Sequence, residues 1–117
     1  MKEHNSWYRM QSDGETATID IYDEIGFWGV TAKEFRTDLK ALGDVNDITL
    51  HINSPGGDVI DGFAIFNALA AHPAKVTAQI DGWAASMASI VAMAADTVVA
   101  PENAWLMIHN PWSVAVG

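Results

Sequence analysis

The sequence contains no cysteine. Disulfides, thiolate nucleophiles and Cys-ligated zinc are therefore excluded, and no oxidising compartment has to be invoked. Cations are scarce: Lys and Arg total 6 against 15 Asp and Glu, a formal charge of −9. Phosphate backbones are bound by clustered Lys and Arg, so nucleic acid is not an expected partner. The same balance opposes docking on anionic lipid. Long hydrophobic runs are missing as well. The longest, Trp83 to Ala95, has 13 residues, holds two serines and ends at Asp96. A bilayer span needs about 20 residues, so this run is expected to form a buried helix rich in small residues, and no membrane partner is expected. The polar start Met1-Lys2-Glu3-His4-Asn5 leads into no apolar run, so no export signal is expected. Of the four histidines, no two stand four residues apart, and the carboxylates lack ligand spacing, so no metal site is expected.

What is present fits one folded domain over residues 1–117. Half the residues are hydrophobic and 18% are charged, enough apolar material for a single core. Ala17, Ile19 and Ile21 alternate with Thr18, Asp20 and Tyr22, which is strand spacing. The turn residues Ser12-Asp13-Gly14-Glu15 precede it, making Trp7 to Met10 a partner strand in a hairpin. Thr31-Ala32-Lys33-Glu34 fits a capping box, with Ala32, Phe35, Leu39 and Leu42 on one helix face and Gly43 as the stop. Ile48 to Ile52 reads as a strand entering the loop Asn53-Ser54-Pro55-Gly56-Gly57-Asp58. A second helix is expected over about Val59 to Ala71, with Val59, Phe63, Phe66 and Ala70 on its buried stripe and His72-Pro73 as its end. Lys75 to Ile80 reads as a strand, and Asp81-Gly82 as a turn into the Ala- and Met-rich helix. Thr97 to Ala100 and Ala104 to His109 read as short strands. Strands alternating with helices predict an α/β fold with a largely parallel sheet.

Three places could carry chemistry. In Ser54-Pro55-Gly56-Gly57 two adjacent glycines allow positive φ and close approach, and N–H groups at such a turn can bind an anion or oxyanion. Without a following Lys or Ser/Thr as in a phosphate-binding loop, a plain tight turn also accounts for it. In Gly82-Trp83-Ala84-Ala85-Ser86-Met87-Ala88 a serine stands at a helix start between small residues. That echoes a nucleophile elbow, in which bulky flanks would clash, and the Met87 N–H could receive developing negative charge. An N-cap serine is the simpler account. In Met107-Ile108-His109-Asn110-Pro111-Trp112 a histidine closes an apolar strand, and imidazole is the side chain suited to proton transfer near neutral pH. The other histidines are poorer candidates: His4 lies in a polar terminus, His51 is mid-strand and His72 ends a helix. Asp58 and Asp61 are explained by a solvated helix start. The tryptophans at 7, 28, 83, 105 and 112 suit a core or a subunit interface.

In their order and joint occurrence, the runs Ile52 to Val59, Asp81 to Ser89 and Met107 to Pro111 resemble the Clp protease proteolytic subunit family. Ile21-Tyr22-Asp23-Glu24-Ile25-Gly26-Phe27-Trp28-Gly29-Val30 is similar to the opening segment of the Clp-like head maturation proteases of tailed phages and prophages. The resemblance implies a Clp/crotonase-type α/β fold of repeated ββα units, cut short at the C-terminal side. It implies a serine endopeptidase with Ser86 as nucleophile and His109 as general base. The N–H groups of Gly57 and Met87 would form the oxyanion hole, and the edge Gly56-Gly57-Asp58-Val59 would take substrate as an added strand. The family's third triad member, an Asp, and its ring-contact helix fall downstream of Gly117. No cofactor or metal is implied. Expected partners are a peptide or protein substrate, further copies in a ring, and an ATPase unfoldase or phage capsid proteins, in the cytoplasm of a bacterial host. Two alternatives are a non-catalytic ring-forming assembly module and a crotonase-type acyl-CoA enzyme.

Overall fold

A computed structural model describes residues 6–107 of the chain. The chain opens with an antiparallel hairpin of β1 (Tyr8–Asp13) and β2 (Thr16–Ile21), turned at Gly14, which takes φ 67°. Helix α1 (Ala32–Ala41) follows, then β3 (Asp47–Ser54), α2 (Val59–Ala71), β4 (Lys75–Ala85), α3 (Met87–Ala92), β5 (Thr97–Val99) and β6 (Trp105–Met107). The sheet order is β1-β2-β3-β4-β5, and β6 also pairs with β4, further along the same edge. All pairings except the hairpin are parallel. This is the expected α/β arrangement with a largely parallel sheet, helices crossing between parallel strands.

The strands alternate cleanly. Ala17, Ile19 and Ile21 of β2, Ile48, Leu50 and Ile52 of β3, and Val76, Ala78 and Ile80 of β4 are buried under the helices. On the opposite face β3 presents Thr49 and His51, and β4 presents Thr77 and Gln79, all at most half-buried or exposed. Apolar side chains removed from water on one face supply most of the driving force. Trp7 closes the hairpin end of that core: it is 1% exposed, stacks on Phe35 at 5.8 Å and donates its indole N–H to the Val30 carbonyl at 2.7 Å.

Several local expectations are corrected. The Thr31 hydroxyl makes no capping bond. The Ala32 N–H is instead satisfied by Asp61 Oδ1 at 3.0 Å, reaching across from α2. On α2 the buried stripe is Gly62, Ile65 and Leu69, while Val59 and Phe63 are exposed. Nearly every α2 residue is apolar, so the pattern alone cannot say which face is covered. Asp81-Gly82 is not a turn. β4 runs on through it to Ala85, because β6 supplies a partner for Trp83–Ala85. Helix α3 is correspondingly short, six residues from Met87 to Ala92. No helix among the described residues is long and apolar enough to cross a membrane.

Candidate active site

The end of β4 is where the backbone departs most from regular geometry. Across β3 and β4, Ile52 pairs with Ile80, but the next pair is Ser54 with Ala84, so three residues of β4 stand against Asn53 alone. Such a bulge bends and re-aims a strand. Asn53 staples it: its Oδ1 accepts the Trp83 N–H at 3.3 Å. A Cβ on Gly82 would lie 2.4 Å from that oxygen, so any larger residue there would have to push the Asn53 amide aside.

Beyond the bulge the chain turns sharply into α3. Ser86 occupies the turn at φ 54° and ψ −126°, a positive φ that an L-residue adopts at a cost of roughly 1–3 kcal/mol. Its carbonyl is held by the Ser89 hydroxyl at 2.6 Å and the Ser89 N–H at 3.0 Å. Met87 is the first residue of α3, so its N–H has no acceptor inside the helix.

The glycine loop rests directly on this turn. Gly56 takes φ 107°, and a Cβ there would lie 2.9 Å from the Ala85 carbonyl, 3.0 Å from Ser86 Cβ and 3.2 Å from the Met87 nitrogen. Gly57 takes φ 149° and is pressed on its other side against Ile25, whose backbone oxygen would be 2.3 Å from an added Cβ. Ile25 and Gly57 form a parallel bridge: the Ile25 N–H donates to the Gly56 carbonyl at 2.7 Å and the Asp58 N–H to the Ile25 carbonyl at 2.9 Å. In a trans peptide the Gly57 N–H points opposite to the Gly56 carbonyl, hence away from Ile25. Asp58 caps α2, its side chain accepting the Asp61 N–H at 2.8 Å.

The fold therefore brings Ser86, Met87, Gly56 and Gly57 together from two separate β-to-α junctions. Asp58 and Val59 continue the loop into α2. His109, with His4 and Trp112, lies outside the described residues. Met107, two residues before it, is paired with Ala85, the residue before Ser86.

Sequence reasoning missed the side chains that hold this junction: Asn53, Ser54 and Ser89. The alternation of Ile48, Leu50 and Ile52 does carry a signal for Ser54, because the same period points position 54 inward. His51 is also more than a mid-strand residue. Its Nδ1 lies 3.2 Å from Asp81 Oδ1, and Tyr22 donates its hydroxyl to Asp81 Oδ2. Burial alone would raise the Asp81 pKa, but hydrogen bonds from Tyr22, His51 and Gln79 outweigh it and hold the carboxyl below its ordinary value.

A sequence model described as Clp protease matches residues 5–117. The chain belongs to the Clp protease family. Among curated Clp protease family members it is similar to the ATP-dependent Clp protease proteolytic subunit of Chara vulgaris, with 39% identity over 91% of this chain and 55% of the relative. It is also similar to the subunit of the same description from Ligilactobacillus salivarius (strain UCC118), with 41% identity over 68% of this chain and 41% of the relative. The chain thus spans about half the length of these relatives. Among solved structures, ClpP1 from Listeria monocytogenes aligns with a TM-score of 0.66 and 32% identity, covering 80% of this chain and 56% of that one. An enoyl-CoA hydratase from Mycobacterium avium subsp. paratuberculosis K-10 aligns with a TM-score of 0.68 over 91% of this chain and 51% of that one, at 19% identity. That second likeness is one of fold.

Proposed function

We propose that this chain carries the nucleophile half of a serine endopeptidase of the Clp type, with Ser86 attacking the peptide carbonyl and His109 as its base. The observation that carries the reading is the strained Ser86 turn at φ 54° packed against Gly56. Strain of this kind persists only where the surroundings over-determine it, and it clusters at reacting groups. A turn between strand and helix exposes a hydroxyl while placing the next N–H beside it.

Substrate would lie extended along Gly56–Val59, adding its backbone to the loop edge that faces away from Ile25. Its scissile carbonyl oxygen would then meet the N–H groups of Gly57 and Met87. Ser86 Oγ bonds to the carbonyl carbon as its proton passes to His109. The carbonyl π electrons move onto oxygen, where the two N–H donors stabilise the charge. The C–N bond then breaks, and the His109 proton goes to the leaving amine. Water repeats the sequence on the acyl-Ser86 ester, restoring the free hydroxyl. Removing one oxyanion donor costs about 10²–10³ in rate in enzymes of this kind. The assignment of His109 is supported by the pairing of Met107, two residues earlier in sequence, with Ala85.

A carboxylate on the far side of His109, as in the family's triad, would fix its tautomer. Ring assembly with further copies and service to an ATPase unfoldase belong to the same reading, supported by family membership. The phage or prophage setting, with head proteins as substrate in a bacterial cytoplasm, rests on the similarity of Ile21 to Val30 to that group. The 117 residues are read as one domain.

A fluorophosphonate probe followed by intact mass tests the chemistry. Assays would run on this chain and on a chimera carrying the corresponding downstream segment of a Clp relative. Labelling at one site, lost in both Ser86→Ala and His109→Ala, is the expected result. Labelling confined to the chimera locates the missing support beyond Gly117. Silence in both proteins refutes the peptidase reading and favours the non-catalytic assembly module.

A further inference from the structure

Position 54 breaks a rule that β3 otherwise obeys. Ile48, Leu50 and Ile52 fill the core row of this strand, and Ser54 occupies the next place in the same row, fully buried. A hydroxyl taken out of water must recover its hydrogen bonds or lose stability. Ser54 recovers both. Its Oγ donates to the Asp23 carbonyl at 2.7 Å and accepts the Gly56 N–H at 3.1 Å. Departures from pattern that are fully satisfied mark places where position matters more than burial.

These two bonds complete a short ladder. Asp23 and Ile25 belong to one segment, and Ser54, Gly56 and Asp58 to the other. Ser54 Oγ holds Asp23, while Ile25 holds the Gly56 carbonyl and the Asp58 N–H. Pro55 between them has no N–H to offer. Gly56 is thereby gripped on both of its peptide planes: Ser54 holds the N–H on one side, and Ile25 holds the carbonyl on the other. With both planes held, φ and ψ of Gly56 are fixed, although glycine at φ 107° has the widest freedom of any residue. The plane of the Gly56–Gly57 peptide sets the direction of the Gly57 N–H.

We infer that Ser54 is a positioning residue, which aims the Gly57 N–H at the carbonyl oxygen of substrate by clamping the Gly56 peptide to the Asp23–Ile25 segment. This rests on the reading of Ser86 and Gly57 given above. Ser54 touches no substrate; it acts through the backbone.

Ser54→Ala removes one atom, opens no clash and keeps the fold. Two readouts separate the clamp from the chemistry. The first is amide hydrogen exchange, resolved by residue. Ser54→Ala speeds exchange at Gly56 and Ile25 by about two- to ten-fold while Leu50, inside the same strand, is unchanged; a lost hydrogen bond of ordinary strength gives a factor in that range. The second is fluorophosphonate labelling of Ser86 against probe concentration, on the chain or the chimera. The maximal rate falls about ten- to a hundred-fold at an unchanged half-saturating concentration, the mark of an interaction made in the transition state. Ser54→Thr, which keeps the hydroxyl, restores both. If neither the wild-type chain nor the chimera takes the probe yet exchange at Gly56 and Ile25 accelerates in Ser54→Ala, the clamp stands and the peptidase reading falls. If the wild type labels and Ser54→Ala labels equally fast, the inference falls and the peptidase reading stands. Exchange that rises uniformly, Leu50 included, also overturns the inference, because Ser54 would then serve only global stability.

Discussion

Replacing Gly56 by alanine tests the claim that the glycine loop and the Ser86 turn are one packed unit. Two effects oppose the substitution. An L-residue at φ 107° is strained by about 1–3 kcal/mol. The new Cβ would also stand 2.9 Å from the Ala85 carbonyl oxygen and 3.0 Å from Ser86 Cβ. The carbonyl is backbone and cannot rotate aside, so the loop or the turn must move, and overpacking of this kind costs about 1–3 kcal/mol. Against them, alanine removes about 0.4–1 kcal/mol of unfolded-state freedom. The expected net loss is about 1–6 kcal/mol.

Gly14 supplies the control. It takes φ 67° in the hairpin turn, with nothing within 4 Å of an added Cβ. Gly14→Ala therefore meets only left-handed strain, about 1–2 kcal/mol before the entropy offset. Urea unfolding followed by tryptophan emission gives both values, provided m is unchanged. Gly56→Ala should lose at least about 1.5 kcal/mol more than Gly14→Ala, and Ser86 labelling should drop about a hundred-fold in Gly56→Ala alone. Equal destabilisation in the two variants, with equal labelling, would show that Gly56 does not bear on the turn and would refute the packing argument.

The two tyrosines give a pH prediction. Tyr22 is pushed up to about 12, by its hydrogen bond to Asp81 first and burial second. Tyr8 is pushed well above the usual phenol range, by burial first and then by its hydrogen bond to Asp38. With both folded values raised, the stability these groups confer is whole below the unfolded value of about 10 and is lost as pH climbs through the folded ones. Phenolate absorbance should stay flat through pH 10 in buffer and rise there in urea; a step at that pH in the folded protein contradicts the two hydrogen bonds. At the acid end the sign reverses. Asp81 is depressed, so its contribution is present above the ordinary carboxylate value of 3.8 and is lost as pH falls through the folded one. Tyr22→Phe removes one of its hydrogen bonds and should move the acid unfolding midpoint, followed by circular dichroism, to higher pH. Trp7→Phe leaves the Val30 carbonyl without its donor and a gap beside Phe35. It should cost about 2–3 kcal/mol in urea, and a loss under about 0.5 kcal/mol would show that the indole is not wedged there.

The legible parts of this fold are those set by local pattern. The alternation in β2 and β3, the bounds of α2 and the turn at Gly14 are written in residues close together in sequence. The end of β4 is not. Trp83–Ala85 is strand because Trp105–Met107 lies along one edge and Ser54 pairs with Ala84 on the other, and no window around Trp83 contains those partners. Gly82 likewise reads as a turn until the Asn53 side chain is seen filling the space above it. On α2 no polar stripe marks the buried face, and Gly62 packs against Met87 of α3, a neighbour outside any short window around it. The candidate site divides the same way. Gly56, Gly57 and Ser86 show themselves because unusual backbone demands unusual residues in recognisable order. Ser54, Ser89 and Asn53 act through hydrogen bonds between their side chains and the backbone of other residues, and of the three only Ser54 is marked by a local period.

The contact between Gly62 and Met87 allows stability and chemistry to be pulled apart. Gly62 sits inside α2, where alanine is favoured over glycine by about 1 kcal/mol. A Cβ there would lie 2.4 Å from Met87 Cε and 3.3 Å from Met87 Cβ and Cγ. The methyl end of methionine is flexible and can swing away, but Cβ is tied to the backbone. Relief at Cβ requires α3 to retreat by a few tenths of an ångström, and the Met87 N–H, first in that helix, moves with it. Strain and propensity then nearly cancel in Gly62→Ala, and the urea midpoint should change little. Ser86 labelling should nonetheless slow about ten-fold, because a displaced donor serves the transition state poorly. A variant stabilised by the full helix-propensity gain and labelled at the wild-type rate would show that Met87 yields through its side chain alone. The N–H of Met87 would then be insulated from the α2–α3 contact, and the idea that helix packing sets the donor's position would have to be given up.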